Sequence, residues 1–98
     1  MIKVKAKIKL YKSDVGRKTA FANGYRPLFN FIKEMKTSGQ ITLRDRVEFI
    51  PGDEGIVEID FLNKEYLGID FGRGKKFTFD EGIKVLGDGE ILEIVKEE

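Results

Sequence analysis

From Ile2 to Leu10 the chain alternates without a break. Ile2, Val4, Ala6, Ile8 and Leu10 are apolar, and Lys3, Lys5, Lys7 and Lys9 stand between them. A period of two over this length predicts a strand with one buried face. Residues 12–27 lose the pattern and read as a long loop, and 28–31 form a short apolar strand. Residues 32–38 read either as a helical turn or as a polar loop. Ile41 and Leu43 open another short strand, and 47–50 follow after the charged turn Arg44-Asp45-Arg46. Pro51-Gly52 suits a type II turn, with Pro and Gly at its two central positions. Val57, Ile59 and Phe61 then alternate with Glu58, Asp60 and Leu62, and Phe77 and Phe79 with Lys76, Thr78 and Asp80. Glu81-Gly82 turns into Ile83 and Val85, and Gly87-Asp88-Gly89 turns again into a last strand over 90–95. Many short strands between turn residues, and no amphipathic helix, predict an all-β antiparallel sandwich or barrel.

Length and composition add bounds. Ninety-eight residues with 41% hydrophobic and 36% charged positions suit one globular domain over 1–98. No run of apolar residues reaches membrane-spanning length, and the early lysines interrupt any signal-peptide core, so the expected location is cytoplasmic. The chain has no Cys and no His. This excludes disulfides, thiolate or imidazole metal sites, and Ser-His-Asp or Cys-His nucleophilic chemistry. Only carboxylates, Lys, Tyr and hydroxyls remain, so no enzyme, metal or cofactor is expected.

The net charge of +1 covers an asymmetry. Residues 1–36 hold ten basic and two acidic residues; the rest hold eight basic and fifteen acidic. A basic binding face is one reading. The preferred reading is that the halves interleave in the fold and cancel. The lysine row of the first strand likewise reads as a phosphate-tracking stripe or, preferably, as a solvated face that discourages edge association.

Two apparent motifs fail on spacing. In the run 68–76, GIDFGRGKK, five residues separate Gly68 from Gly74 and Lys76 stands where a phosphate loop needs a hydroxyl. Asp53, Glu54, Glu58 and Asp60 do not meet calcium-loop spacing. Phe29, Phe31, Phe49, Phe61, Phe77 and Phe79 fall at strand spacing and are assigned to the core. Tyr25 has two readings. Its ring stacks on a base or sugar, or, as preferred, its hydroxyl pins the loop.

Several of these segments, taken in order, resemble the C-terminal β-barrel domain of elongation factor Tu. They are Gly16-Arg17-Lys18-Thr19, Gly24-Tyr25-Arg26-Pro27 with Phe29 and Phe31, Ser38-Gly39, Pro51-Gly52-Asp53, and Phe77 through Glu81-Gly82 to Gly87 and Gly89. The resemblance implies a six-stranded antiparallel closed barrel of Greek-key type, here as a freestanding domain without a GTPase partner, so no nucleotide is expected. In that family the domain helps to grip aminoacyl-tRNA. By that likeness Arg17 matches a basic RNA-contacting position, Ser38 keeps a hydroxyl, and Gly82 keeps a glycine open to close backbone approach. Leu28, Asp80 and Ile83 depart from the family pattern, and the acidic Asp80 opposes phosphate contact.

The expected function is a non-catalytic binding module that contacts tRNA or the translation machinery. The alternative is a protein-interaction module that imitates the factor's barrel. The loop carrying Arg17, Lys18, Tyr25 and Arg26 is the expected working surface, because loops beyond about a dozen residues are usually functional or disordered.

Overall fold

The computed structural model describes residues 1–98. Eight strands follow one another: β1 (Ile2–Leu10), β2 (Phe21–Ala22), β3 (Leu28–Ile32), β4 (Met35–Thr42), β5 (Glu48–Phe49), β6 (Glu54–Phe61), β7 (Lys76–Asp80) and β8 (Val85–Glu97). Six of them close a barrel in the order β1-β6-β4-β3-β7-β8, with antiparallel neighbours throughout. β3, β4 and β6 lie side by side in chain order, and β1, joined to β3 by the long connection over 11–27, lies beside β6, which is a Greek-key arrangement. The expected barrel is therefore the observed one. Helix is confined to a single 3-10 turn, Lys64–Tyr66. No helix is long and apolar enough to cross a membrane.

Alternation decides the inside. Ile2, Val4, Ala6, Ile8 and Leu10 of β1 are buried, as are Val57, Ile59 and Phe61 of β6 and Phe77 and Phe79 of β7. Phe29, Phe31, Phe61 and Phe77 meet at centroid separations of 5.1–5.6 Å, largely edge to face. Aromatic rings favour such contacts because the positive ring edge meets the negative ring face.

The charge halves interleave. β1 lies between β6 and β8, both from the acidic half. Lys7 pairs with Glu54 at 2.9 Å and Lys5 with Glu93 at 3.4 Å, while Lys3 lies 3.8 and 3.9 Å from Glu58 and Asp60. The lysine row is thus a largely neutralised outer face.

Four expectations are corrected. Residues 32–38 are neither a helical turn nor a loop: Lys33 and Glu34 form a tight turn, Glu34 takes a φ of 65°, and β4 begins at Met35 rather than Ile41. Ile83 lies in the turn, not in a strand, and is fully exposed. Gly87-Asp88-Gly89 is not a turn but the interior of β8, paired with both β1 and β7. Glycine stands there for lack of room. A Cβ at Gly87 would lie 2.3 Å from the Phe79 ring and 2.4 Å from the Lys9 carbonyl; at Gly89 it would lie 2.5 Å from the Phe77 ring. Finally, residues 12–27 are not a free loop. β2 pairs with β5, and beyond it Gly24 and Tyr25 bond to Ile41 while Gly39 donates to the Pro27 carbonyl. The segment is woven along the end of β4.

Candidate binding face

One end of the barrel gathers the termination of β1, β4 and β7 and the start of β3, β6 and β8. The β2–β5 ribbon sits at this end. Phe21 and Phe49 project from it and stack at 5.2 Å, both buried. Tyr25 stacks on Phe21 at 4.4 Å, Arg17 lies over the Tyr25 ring at 5.0 Å, and Arg46 lies over Phe49 at 4.7 Å. The result is a column of three rings with a guanidinium over each end. Burying a phenylalanine contributes about 2–3 kcal/mol and a cation over an aromatic face about 0.5–1 kcal/mol at a partly open site. The rings therefore set the position of the segment, and the arginines finish it.

Both arginines are tethered. Arg46 Nη1 reaches Asp53 Oδ2 at 3.3 Å, and the same oxygen accepts from the Ile50 amide. Arg17 Nε donates to Glu81 Oε2 at 3.0 Å, and its Nη1 donates to the Thr19 carbonyl and hydroxyl and to the Ala20 carbonyl. The Tyr25 hydroxyl donates to the same Glu81 oxygen at 2.5 Å. That bond, aided by Arg17 and opposed by partial burial, holds the Glu81 carboxyl below its usual range. Burial first, and then the Glu81 carboxylate, push the Tyr25 hydroxyl well above the ordinary phenol range. The preferred reading of Tyr25 as a pin therefore holds, and its ring is already engaged on Phe21 and Arg17.

The neighbouring turn, 81–84, is set by Asp80. This residue is only 2% exposed although it lies in the outward series of β7. Its Oδ2 accepts from Asn30 Nδ2 at 2.8 Å and Lys36 Nζ at 2.7 Å, and its Oδ1 accepts from the Gly82 amide at 2.7 Å. Burial raises its pKa, but these three donors outweigh it and the carboxyl sits below the usual aspartate range. Its charge is neutralised inside, so Asp80 does not confront a ligand as the sequence suggested. A Cβ at Gly82 would meet nothing within 4 Å; what this glycine supplies is a φ of +97°, unfavourable to other residues.

The six residues singled out from the sequence thus separate. Arg17, Tyr25 and Gly82 converge on the 81–84 turn, with Lys18 lining a cleft of about 240 Å³ shared with Arg17, Glu81, Ile83 and Lys84. Arg26 and Ser38 are exposed on the adjoining outer face, where Arg26 Nη2 donates to Gln40 Oε1 at 2.7 Å. Sequence reasoning missed Glu81 as the common acceptor, Phe21 as the middle ring of the stack, and Ile83 and Lys84 as exposed neighbours. Ile83 carried one signal: an aliphatic residue directly after Glu81-Gly82, in a turn that needs none. No group of three or more Asp or Glu side chains is arranged to hold a metal ion. No protein-family model matches this chain.

Proposed function

We propose that this barrel is a non-catalytic binding module, related to the C-terminal barrel of elongation factor Tu, that contacts a protein of the translation machinery through the face built by residues 12–27 and the 81–84 turn. The observation that carries the reading is the commitment of Arg17 and Tyr25 to Glu81. The groups best suited to grip phosphate and stack on a base are engaged internally. Beside them stand exposed aliphatic side chains, Ile83 at 96% and Val15 at 59%. Apolar groups left in water next to fixed polar ones suit a protein partner better than a nucleic acid. The barrel fold and the order of its turns support the relationship; fold alone does not carry function.

One observation favours tRNA as a second reading: Lys18, Arg26, Lys33 and Lys84 make no ion pair. A photoreactive residue placed at Ile83 is expected to crosslink a protein in cell extract, whereas one at Leu62, also exposed but on the loop after β6, is not. Bulk tRNA is expected to migrate unretarded at moderate salt. Retardation that falls steeply with salt, with no protein captured at Ile83, would transfer the module to RNA.

A further inference from the structure

We infer that the groove along the outer face of β3 and β7, between the Lys33-Glu34 turn and the 81–84 turn, docks an acidic protein segment that carries an apolar anchor. This rests on the protein-binding reading above and names the chemistry of the partner.

The groove encloses about 370 Å³ and is lined by Asn30, Lys36, Thr78 and Asp80 along its floor and by Lys33, Glu34, Ile83 and Lys84 at its rims. The floor is electrically closed: Asp80 is satisfied by Asn30, Lys36 and Gly82, and Asn30 also donates to the Thr78 hydroxyl at 3.0 Å. An incoming ligand therefore meets the rim. There Lys33 and Lys84 have neither an ion pair nor a side-chain hydrogen bond, and Lys18 stands likewise unpaired in the adjoining cleft. Glu34 is the one uncompensated carboxylate at these rims. Three unpaired lysines against one carboxylate attract an acidic segment.

Ile83 decides between acidic partners. It belongs to both clefts, between Lys18 on one side and Lys33 on the other, and its side chain is held out of the barrel by the Asp80–Gly82 bond that shapes the turn. Val85, also partly exposed, continues the apolar strip. Single-stranded bases would need exposed aromatic or guanidinium planes for stacking, and a duplex stem, held through its phosphates and 2′-hydroxyls, would leave the aliphatic ridge uncovered. An acidic segment with a leucine or aromatic residue would cover Ile83 while its carboxylates meet the lysines. The apolar contact supplies affinity, and the rim charges supply steering and orientation.

A random peptide library selected on the immobilised full chain tests this, with bulk tRNA measured in parallel. Selected peptides are synthesised and their affinities followed by fluorescence anisotropy at two salt concentrations. Enriched sequences are expected to place Asp or Glu around an aliphatic or aromatic residue. Ile83→Ser is expected to weaken them about tenfold, and the pair Lys33→Ala and Lys84→Ala to weaken them and flatten the salt dependence, while Leu62→Ser changes nothing. All these positions are exposed, and circular dichroism checks that each variant folds. Neutral or basic peptides that still depend on Ile83 would overturn the acidic occupant and leave the binding face standing. tRNA binding lost in the lysine variant but indifferent to Ile83→Ser would give the face to RNA. Silence from both library and tRNA would remove this inference together with the binding-module reading.

Discussion

At the scale of single residues, the fixed points are carboxylates whose charge is satisfied within the fold. Glu81 accepts from Arg17 and Tyr25 on one oxygen, so its partners depend on each other. Tyr25→Phe is expected to cost about 1 kcal/mol in urea unfolding, and Arg17→Ala about 2 kcal/mol, because it also removes the bonds to Thr19 and Ala20 and the contact with the Tyr25 ring. The double variant should cost less than the sum, because loss of either partner loosens the other's acceptor. Additive costs would mean the two bonds act separately. Asp80 gives a pH dependence whose sign follows from its lowered pKa. Its contribution is complete above the ordinary aspartate value of 3.8 and is lost as pH falls through that value toward the lower folded one. Asp80→Asn keeps the shape but leaves Lys36 unpaired. We expect a loss of about 2 kcal/mol at neutral pH and a shallower fall in stability on acidification. A variant with the wild-type acid slope would show that other carboxylates carry it.

At the scale of elements, glycine has two distinct uses, and substitution separates them. Gly87→Ala forces a methyl into the Phe79 ring and the Lys9 carbonyl, and we expect a cost near 3 kcal/mol or failure to fold, roughly the upper end for overpacking. Gly82→Ala meets no atom and costs only through its backbone angle, about 1–2 kcal/mol. Thermal melts of the two variants rank them directly; equal costs would contradict the close approach inside β8. The same glycines explain where the sequence was legible. β1, β6 and β7 show themselves because one face is buried and the other wet, so alternation is clean. β8 is hidden because its paired interior uses Gly-Asp-Gly, a composition shared with turns. The start of β4 is hidden because Met35 to Gly39 carries a threonine and a glycine at its buried positions instead of large apolar residues. At the binding face, Arg17 and Tyr25 were visible as unusual residues, and of the two readings of Tyr25 the preferred one was the pin. Their shared partner was not visible, because Glu81 lies 64 and 56 residues away and only closure of the barrel brings it near.

At the scale of the whole molecule, opposite charges that are separated in sequence alternate in space. Moderate salt should therefore change the folding stability little, while any binding at the uncompensated lysines weakens; chemical denaturation and affinity measured across the same salt series compare the two. The topology has a further effect, on the order in which the molecule can assemble. β1 hydrogen-bonds to β6 and β8 and to no strand within the first fifty residues. A chain emerging from its N-terminus presents an alternating apolar strand whose first partner, β6, lies past residue 53 and whose second, β8, lies past residue 84. Such long-range pairing is slow to form and leaves an unpaired edge open to other chains. During that interval Lys3, Lys5 and Lys7 have none of their later acidic partners, and with Lys9 they repel a second copy of the same strand. Replacing Lys5 and Lys7 by threonine should leave the folded spectrum unchanged yet lower the yield of refolding as protein concentration rises. On that outcome Lys3, Lys5 and Lys7 guard their own strand first and become halves of ion pairs afterwards.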